Sequence, residues 1–343
     1  MKVLLSGYVG RGNLGDEAIA ASLIQGLKAR GHQPLVLSGD PASTRETYSV
    51  PAYHRVRGIV QAVLQADAVV SGGGGLLQDK TSRRSLQYYL SVLQIAKRLG
   101  KPIFVFGQSL GPLTPQGVRQ VTRVLRGVRV FVRDEPSMEL LHRWGLEGEL
   151  VTDAAFCLEP SEASNLDAPG VVLIPRGDIA GAQEALAGVA RRLVEQNASV
   201  TVTPMDLETD VDAIHEIASV DPAITPFFSH DPRVQLDLVR RAELVVSVRL
   251  HGLIFATRVG TPSIGVAYDP KVGGFAEPQQ IPLAGVPVNE QEIWDLVDAT
   301  RSAREVEDPV QRETRRQKGI SLARQADESL GQLDAALRAA VAG

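Results

Sequence analysis

Residues 1–31 read MKVLLSGYVGRGNLGDEAIAASLIQGLKARG. The run Lys2–Ser6 is short and apolar, as a buried strand is. From Asp16 to Arg30 the residues Ile19, Leu23 and Leu27 recur every fourth position, which marks one face of a helix, and Gly31 stops it. A glycine-rich turn joins the two. Strand, glycine turn and helix open a βαβ unit, and such units build a parallel sheet covered on both faces.

The alternation continues outward. Strands are expected at Leu35–Leu37, Ala68–Ser71, Ile103–Phe106, Val128–Val132 and Glu149–Val151, and helices at Val56–Gln65, Leu86–Leu99, Gln116–Leu125 and Ser137–Trp144. Glu159–Gly170 is rich in Pro, Ser, Asn and Asp, has no period, and reads as a linker. The pattern then restarts. Strands are expected at Val171–Ile174, Val200–Thr203, Ile224–Phe228, Leu244–Val248 and Ser263–Val266. Helices are expected at Ala182–Glu195, Val211–Ala218, Val234–Arg240 and Leu253–Val259, and the chain is helical from Glu290 on, with a basic stretch at Arg312–Lys318. The fold expectation is therefore α/β: two Rossmann-like domains with parallel sheets facing a central cleft. The first spans residues 1–160 and the second 170–310, with a helical tail over 311–343. A single large doubly wound sheet is the alternative.

Composition limits the function classes. The 343 residues carry 36 Lys+Arg against 40 Asp+Glu, a net charge of −4, and aromatics make up only 5%. That balance argues against a broad nucleic-acid face and against stacking platforms for single strands. The one cysteine, Cys157, can form neither an internal disulfide nor a cysteine-based zinc cage. His32, His54, His142, His215 and His230 show no ligand spacing, so no metal site is expected. No apolar stretch reaches the roughly 20 residues of a membrane span, and the N-terminus lacks a signal-peptide pattern. A cytoplasmic protein is expected, and work at the inner face of the cytoplasmic membrane is compatible with it. The basic tail is read as a solvated face that can also meet an anionic membrane.

Five stretches stand at ends of expected strands, where ligands bind in open α/β sheets. The first is the turn Gly7–Glu17. Gly10, Gly12 and Gly15 spell the dinucleotide fingerprint, and Asp40 offers a ribose partner. Yet Asp16 and Glu17 occupy the helix start, where a pyrophosphate would be repelled. A turn with a helix cap explains part of the pattern. A cleft-facing Asn13 and Asp16 is the functional reading, with a carboxylate able to take a proton from a sugar hydroxyl. The second is Ser71–Gly75, four consecutive glycines whose amides can approach ligand oxygens; Gly73 and Gly74 are its centre, and Gly107-Gln108-Ser109 repeats the idea. The third is Arg133-Asp134-Glu135-Pro136-Ser137: Asp134 or Ser137 can cap a helix, and Arg133 can grip a carboxylate or phosphate. The fourth is Ser247-Val248-Arg249-Leu250-His251. A guanidinium between segments that are buried needs an anionic partner, either an internal carboxylate or a bound anion. The fifth is Tyr268-Asp269-Pro270-Lys271, where Lys271 is a solvated turn residue or a second anion ligand.

Taken in order, the turn ending in Asn13–Glu17, then SGGGGLLQD, GQSLGP, VRDEPS, SVRLHG and YDPK, span nearly the whole chain. The set resembles the polysaccharide pyruvyl transferase family, and within it the CsaB-like bacterial cell-wall pyruvyl transferases. The resemblance implies a GT-B-like architecture and phosphoenolpyruvate as donor. It implies a pyruvate ketal built on a sugar with release of phosphate, the sugar being N-acetylmannosamine on a lipid-linked precursor of a polymer that anchors surface-layer proteins. No cofactor is implied. It puts donor binding on Arg249, His251, Lys271 and Arg133, and the family's N-terminal Asn and Asp on Asn13 and Asp16. Acceptor contacts are expected at Asn13 and Asp16, and from the glycine-rich strand ends also at Gly73, Gly74 and Gln108. In the chemistry so implied, His251 is the acid, Asp16 the base, and Arg249 steadies the donor's charge. The rivals are a GT-B glycosyltransferase or sugar-nucleotide epimerase, an NAD-dependent oxidoreductase, and a non-catalytic anion-binding protein.

Overall fold

The computed structural model describes residues 1–80, 82–161 and 169–342. Most of the expected linker, residues 162–168, lies outside the described residues. The chain forms two compact units: Met1–Arg11, Asp16–Leu158 and Arg324–Gly343 in the first, Gly12–Gly15 and Glu159–Ala323 in the second.

The first unit holds a seven-stranded sheet. Its strands are β1 (Lys2–Ser6), β2 (Gln33–Ser38), β3 (Ala52–His54), β4 (Ala68–Leu77), β5 (Ile103–Leu110), β6 (Arg129–Val132) and β7 (Glu149–Leu150). They lie in the order β3-β2-β1-β4-β5-β6-β7, with parallel pairing throughout. The crossovers are α1 (Leu14–Ala29), α2 (Pro41–Tyr48), α3 (Ile59–Gln65), α4 (Arg83–Arg98), α5 (Pro115–Leu125) and α6 (Glu135–Arg143). Inner faces of α3, α4 and α5 bury Val63, Leu93 and Val121 in one cluster with Val69 and Val105 of the sheet. Ser82 caps α4 and Thr114 caps α5 by accepting from backbone amides three residues on.

The second unit holds a six-stranded parallel sheet in the order β10-β9-β8-β11-β12-β13. Its strands are β8 (Val171–Ile174), β9 (Val200–Val202), β10 (Ile224–Pro226), β11 (Leu244–Ser247), β12 (Ser263–Val266) and β13 (Leu283–Ala284). The helices are α7 (Ala182–Glu195), α8 (Val211–Ala218), α9 (Pro232–Arg241), α10 (Leu250–Val259), α11 (Pro270–Gln279) and α12 (Glu290–Glu305). The last helix, α13, runs unbroken over Pro309–Ala342.

One expectation changes here. Residues 311–343 are not set apart as a tail: α13 gives its first part to the second unit and its part from Arg324 on to the first. There Leu330, Leu333 and Leu337 are buried, Gly26 leaves room for Leu330, and His32 meets Asp334 at 2.6 Å. The basic stretch stays a solvated face, with Arg312 and Arg316 66% and 70% exposed, although Arg315 and Arg312 pair with Glu307 and Lys318 reaches the carbonyl of Gln279 at 3.1 Å. No helix among the described residues is long and apolar enough to cross a membrane.

Candidate functional site

In the second unit the chain runs from β8 outward to β9 and β10, then returns to β11 on the other side of β8. The strand order therefore reverses between β8 and β11, and ligands bind beyond the carboxyl ends of strands at such a point. The segments there are Pro175-Arg176-Gly177-Asp178 after β8 and Val248-Arg249-Leu250-His251 after β11.

Arg249 precedes α10 and has the anionic partner that the sequence demands. Asp210, wholly buried, takes a two-pronged contact from its guanidinium: Nε donates to Oδ2 at 3.0 Å and Nη2 donates to Oδ1. Nη2 also donates to Thr209 Oγ1 at 2.8 Å. Asp210 in turn accepts from the amides of Asp206 and Met205 at 3.0 and 3.3 Å. One edge of the guanidinium is thus fixed by the protein, and among the described residues its Nη1 makes no hydrogen bond.

Arg176 stands across the reversal. Its Nε and Nη2 donate to Asp178 at 2.5 and 2.9 Å, its Nη1 donates to the Tyr268 hydroxyl at 2.7 Å, and it stacks on the Tyr268 ring at 4.8 Å. Hydrogen bonding from Arg176 holds the Asp178 carboxyl below its ordinary range, with Arg249 adding to the effect. Burial pushes the Tyr268 phenol up, while Arg176 and Arg249 both oppose that rise. Two guanidiniums and a half-buried tyrosine therefore converge at the ends of three adjacent strands. Sequence reading missed Arg176, Asp210 and Tyr268. Arg176 looks like part of an accidental Arg-Gly-Asp tripeptide, and Asp210 gives no local sign of its partner. The position of Arg176 directly after β8 is the available signal.

His251 is the second residue of α10, and its ring packs on Gly15: a Cβ there would lie 2.2 Å from Nδ1. Gly15 belongs to a short piece of chain bound within this unit. Leu14 donates its amide to the Met205 carbonyl at 2.8 Å, and Leu207 donates to the Gly12 carbonyl at 2.9 Å. Asn13 caps α1 by accepting from the Gly15 amide at 3.1 Å and donates through Nδ2 to Asp206 at 3.3 Å. Lys271 is the second residue of α11, which Asp269 caps, so Lys271 stands in a helical first turn.

The remaining expected residues lie in the first unit. Arg133 is engaged internally: Nη1 meets Asp153 at 2.5 Å, Nε donates to Ser109 at 2.9 Å, and both members of the ion pair are buried. Asp134 caps α6, and Asp40 caps α2. The glycine run is not a loop after a strand; it lies inside β4, which continues past the expected Ala68–Ser71 to Leu77, with Gly73 and Gly74 at φ +69° and +72° beside a register shift. α1 fills the space above it: a Cβ on Gly73 would sit 2.1 Å from Ile19, and one on Gly74 would sit 2.5 Å from Asp16 Oδ1. Gln108 is wholly buried within β5 and donates to the Ser71 carbonyl at 3.0 Å and hydroxyl at 2.8 Å. These residues seat Asp16 over β4 rather than line an open cradle.

The dinucleotide reading also meets an obstacle. Gly10 donates its amide to Glu17 at 2.6 Å, and Tyr48 donates its hydroxyl to the same carboxylate at 2.6 Å. A carboxylate thus occupies the place of a pyrophosphate. Burial pushes the Glu17 carboxyl above its ordinary value. A raised folded-state value means stability is fully present below the unfolded value and is lost as pH rises through the folded one. Wild-type stability should therefore lose a component as pH climbs from about 4.5. Glu17→Gln should lack that loss, so urea titrations at several pH values should favour the variant progressively. Parallel pH profiles would refute the assignment.

A groove of about 420 Å³ is lined by Arg304, Glu307, Val310 and Arg315. It is remote in sequence from every motif above, and its Glu307 is already paired. Among the described residues no three His, Cys, Asp or Glu side chains group as a metal site.

Two parallel-sheet α/β units with functional segments at strand carboxyl ends define a GT-B-like protein. Solved structures agree. A glycosyltransferase from Rickettsia africae is similar with a TM-score of 0.63 at 11% identity, covering 98% of both chains. A putative UDP-N-acetylglucosamine 2-epimerase from Listeria monocytogenes gives 0.64 at 10%, covering 95% of this chain and 91% of that one. Anabaena HepE in complex with UDP gives 0.61 at 14%, covering 99% and 100%. At such identities they speak for the fold. The amylovoran biosynthesis protein AmsJ of Erwinia amylovora is 22% identical over 289 residues, 74% of this chain and 67% of AmsJ. The model of the family described as polysaccharide pyruvyl transferase matches residues 13–270. The chain belongs to that family. The matched span begins at Asn13, includes Arg176, Asp210, Arg249 and His251, and stops one residue short of Lys271.

Proposed function

We propose that this protein transfers the pyruvyl group of phosphoenolpyruvate to two hydroxyls of a sugar, forming a ketal and releasing phosphate. The sugar is N-acetylmannosamine of a lipid-linked cell-wall precursor, and the reaction occurs in the cytoplasm. The observation that carries the reading is the pair of guanidiniums, Arg176 and Arg249, at the strand-order reversal beside His251, in a chain of this family. Phosphoenolpyruvate is small and carries both a carboxylate and a phosphate, so it needs several converging cations. Arg249 offers its outer edge, Lys271 a second charge, and the α10 N-terminus its amides. Arg133 is left out because Asp153 and Ser109 already hold it.

His251 delivers a proton to the methylene carbon, which makes C2 electrophilic. The first hydroxyl adds to C2 and gives its proton to Asp16. The second hydroxyl adds in turn and displaces phosphate. The hydroxyls lose two protons; the methylene carbon gains one and the departing phosphate the other. Asn13 and Asp16 are assigned to the acceptor. Gly73, Gly74 and Gln108 serve by shaping the bed of Asp16.

Arg176 joins the donor set in this reading. Its bond to Asp178 is the replaceable one, because the Asp178 side chain is 62% exposed and exposed pairs are worth about 0–1 kcal/mol. An incoming carboxylate takes over the same fork. Arg176→Ala should raise the KM for phosphoenolpyruvate about tenfold or more with a smaller change in kcat, the mark of lost ground-state binding. Steady-state kinetics decide it, and an unchanged KM removes Arg176 from the donor site.

The activity itself is tested by phosphate release from phosphoenolpyruvate with a lipid-linked disaccharide ending in N-acetylmannosamine, read with mass spectrometry of the sugar. A ketal mass gain with phosphate release is expected. Binding of UDP-sugars without binding of phosphoenolpyruvate would instead favour a sugar-nucleotide enzyme.

A further inference from the structure

We propose that the outer face of α3, α4 and α5 docks on an anionic phospholipid bilayer. Residues 80–133 contain eleven lysines and arginines and no aspartate or glutamate, in a chain whose net charge is −4. Two of the eleven are spoken for, Arg133 by buried Asp153 and Arg129 by Glu149, and most of the rest are on the surface. Arg119, Arg123 and Arg126 are exposed at i, i+4 and i+7, one stripe along α5 and its last turn, and Arg83 and Arg84 are exposed at the start of α4. The helices form one layer: Gln87 of α4 donates to Gln120 of α5 at 2.8 Å, and Lys97 Nζ donates to the Arg126 carbonyl at 2.8 Å.

Beside this layer is an apolar row that the core does not use. Val56, Val60 and Leu64 are 62%, 53% and 57% exposed at four-residue spacing, on α3 and the turn that leads into it. Their neighbours Ile59, Ala62 and Val63 are the residues that face the sheet. Exposed Arg57 lies within the row. Folding explains the inner row and leaves the outer one without a role.

A bilayer with anionic headgroups matches both halves of this face. Its surface potential attracts clustered basic residues, and its acyl boundary accepts a shallow row of aliphatic side chains. A nucleic acid or an acidic polysaccharide would use the arginines and gain nothing from Val60 and Leu64. The basic stretch at Arg312–Lys318, the sequence's own candidate for membrane contact, by contrast shares its surface with carboxylates, Glu313 beside Arg316 and Glu307 beside Arg312 and Arg315. The inference stands on charge and exposure and does not require the donor chemistry.

The test is co-sedimentation of the full chain with phosphatidylcholine vesicles, with and without phosphatidylglycerol. Binding should require phosphatidylglycerol and weaken as salt is raised. Arg83→Glu combined with Arg119→Glu and Arg123→Glu should lower partitioning more than about tenfold. Val60→Ser with Leu64→Ser should also lower it, with charge unchanged. Circular dichroism and urea unfolding of each variant separate lost docking from lost fold. No binding of the wild type to phosphatidylglycerol vesicles overturns the proposal. So does full binding by the Val60→Ser, Leu64→Ser variant that heparin competes away, which would assign the face to an anionic polymer.

Discussion

His251→Ala should lower turnover about 10²–10⁴-fold, the usual worth of a positioned proton donor, while phosphoenolpyruvate binding and the fold persist. The ring is placed by its backbone and by one glycine rather than by an exposed loop. It sits at the second position of α10 and rests on Gly15, where a methyl group would lie 2.2 Å from Nδ1. Gly15→Ala is the companion variant: it keeps the imidazole and displaces it, so it should lose turnover of similar order. Running the reaction in deuterated water reads the step directly, because each ketal methyl gains one solvent deuteron. His251→Ala should slow that incorporation in step with phosphate release. Turnover near the wild-type rate would remove His251 from proton delivery.

The fold was legible in this sequence because its strands are buried on both faces and its helices are amphipathic. Val171–Ile174, Ser263–Val266 and Ala182–Glu195 are expected and found with the same bounds. Short edge strands escaped: Ala52–His54 and Leu283–Ala284 pair on one side and carry little apolar pattern. α2 and α11 escaped because their polar or glycine-containing interiors lack a stripe, although Asp40 and Asp269 cap both. The glycine run shows a different limit. Dense glycine signals close approach, but the sequence cannot say whether a ligand or another part of the chain approaches. Here Ile19 and Asp16 do. Arg249 shows the same limit from the side of charge. Burial demanded an anion, and both an internal carboxylate and a ligand satisfied the demand on paper. Asp210, 39 residues away, is the internal one, and such long-range pairing leaves no local trace.

That pairing makes Asp210 the residue whose loss should cost the second unit most. Asp210→Ala removes the acceptor of Arg249, whose side chain is only 13% exposed, and also strands the amides of Met205 and Asp206. Breaking a buried pair from one side costs about 3–5 kcal/mol, because the charge left behind is neither solvated nor paired. Arg249→Met should cost less. It leaves the buried carboxylate with both amides and the Thr209 hydroxyl, which donates to Oδ1 at 3.3 Å. The double variant should be less destabilised than the sum of the two, since each loss removes the same contact. The two variants also separate stability from function. Arg249→Met should raise the phosphoenolpyruvate KM in protein that remains folded, because it deletes the outer edge of the guanidinium along with the inner one. Urea unfolding and donor kinetics on the same samples measure both effects. If Asp210→Ala unfolds within about 0.5 kcal/mol of wild type, a range ordinary for surface substitutions, the pair is not what holds Arg249. The strand-order reversal would then owe its arginine to the ligand alone.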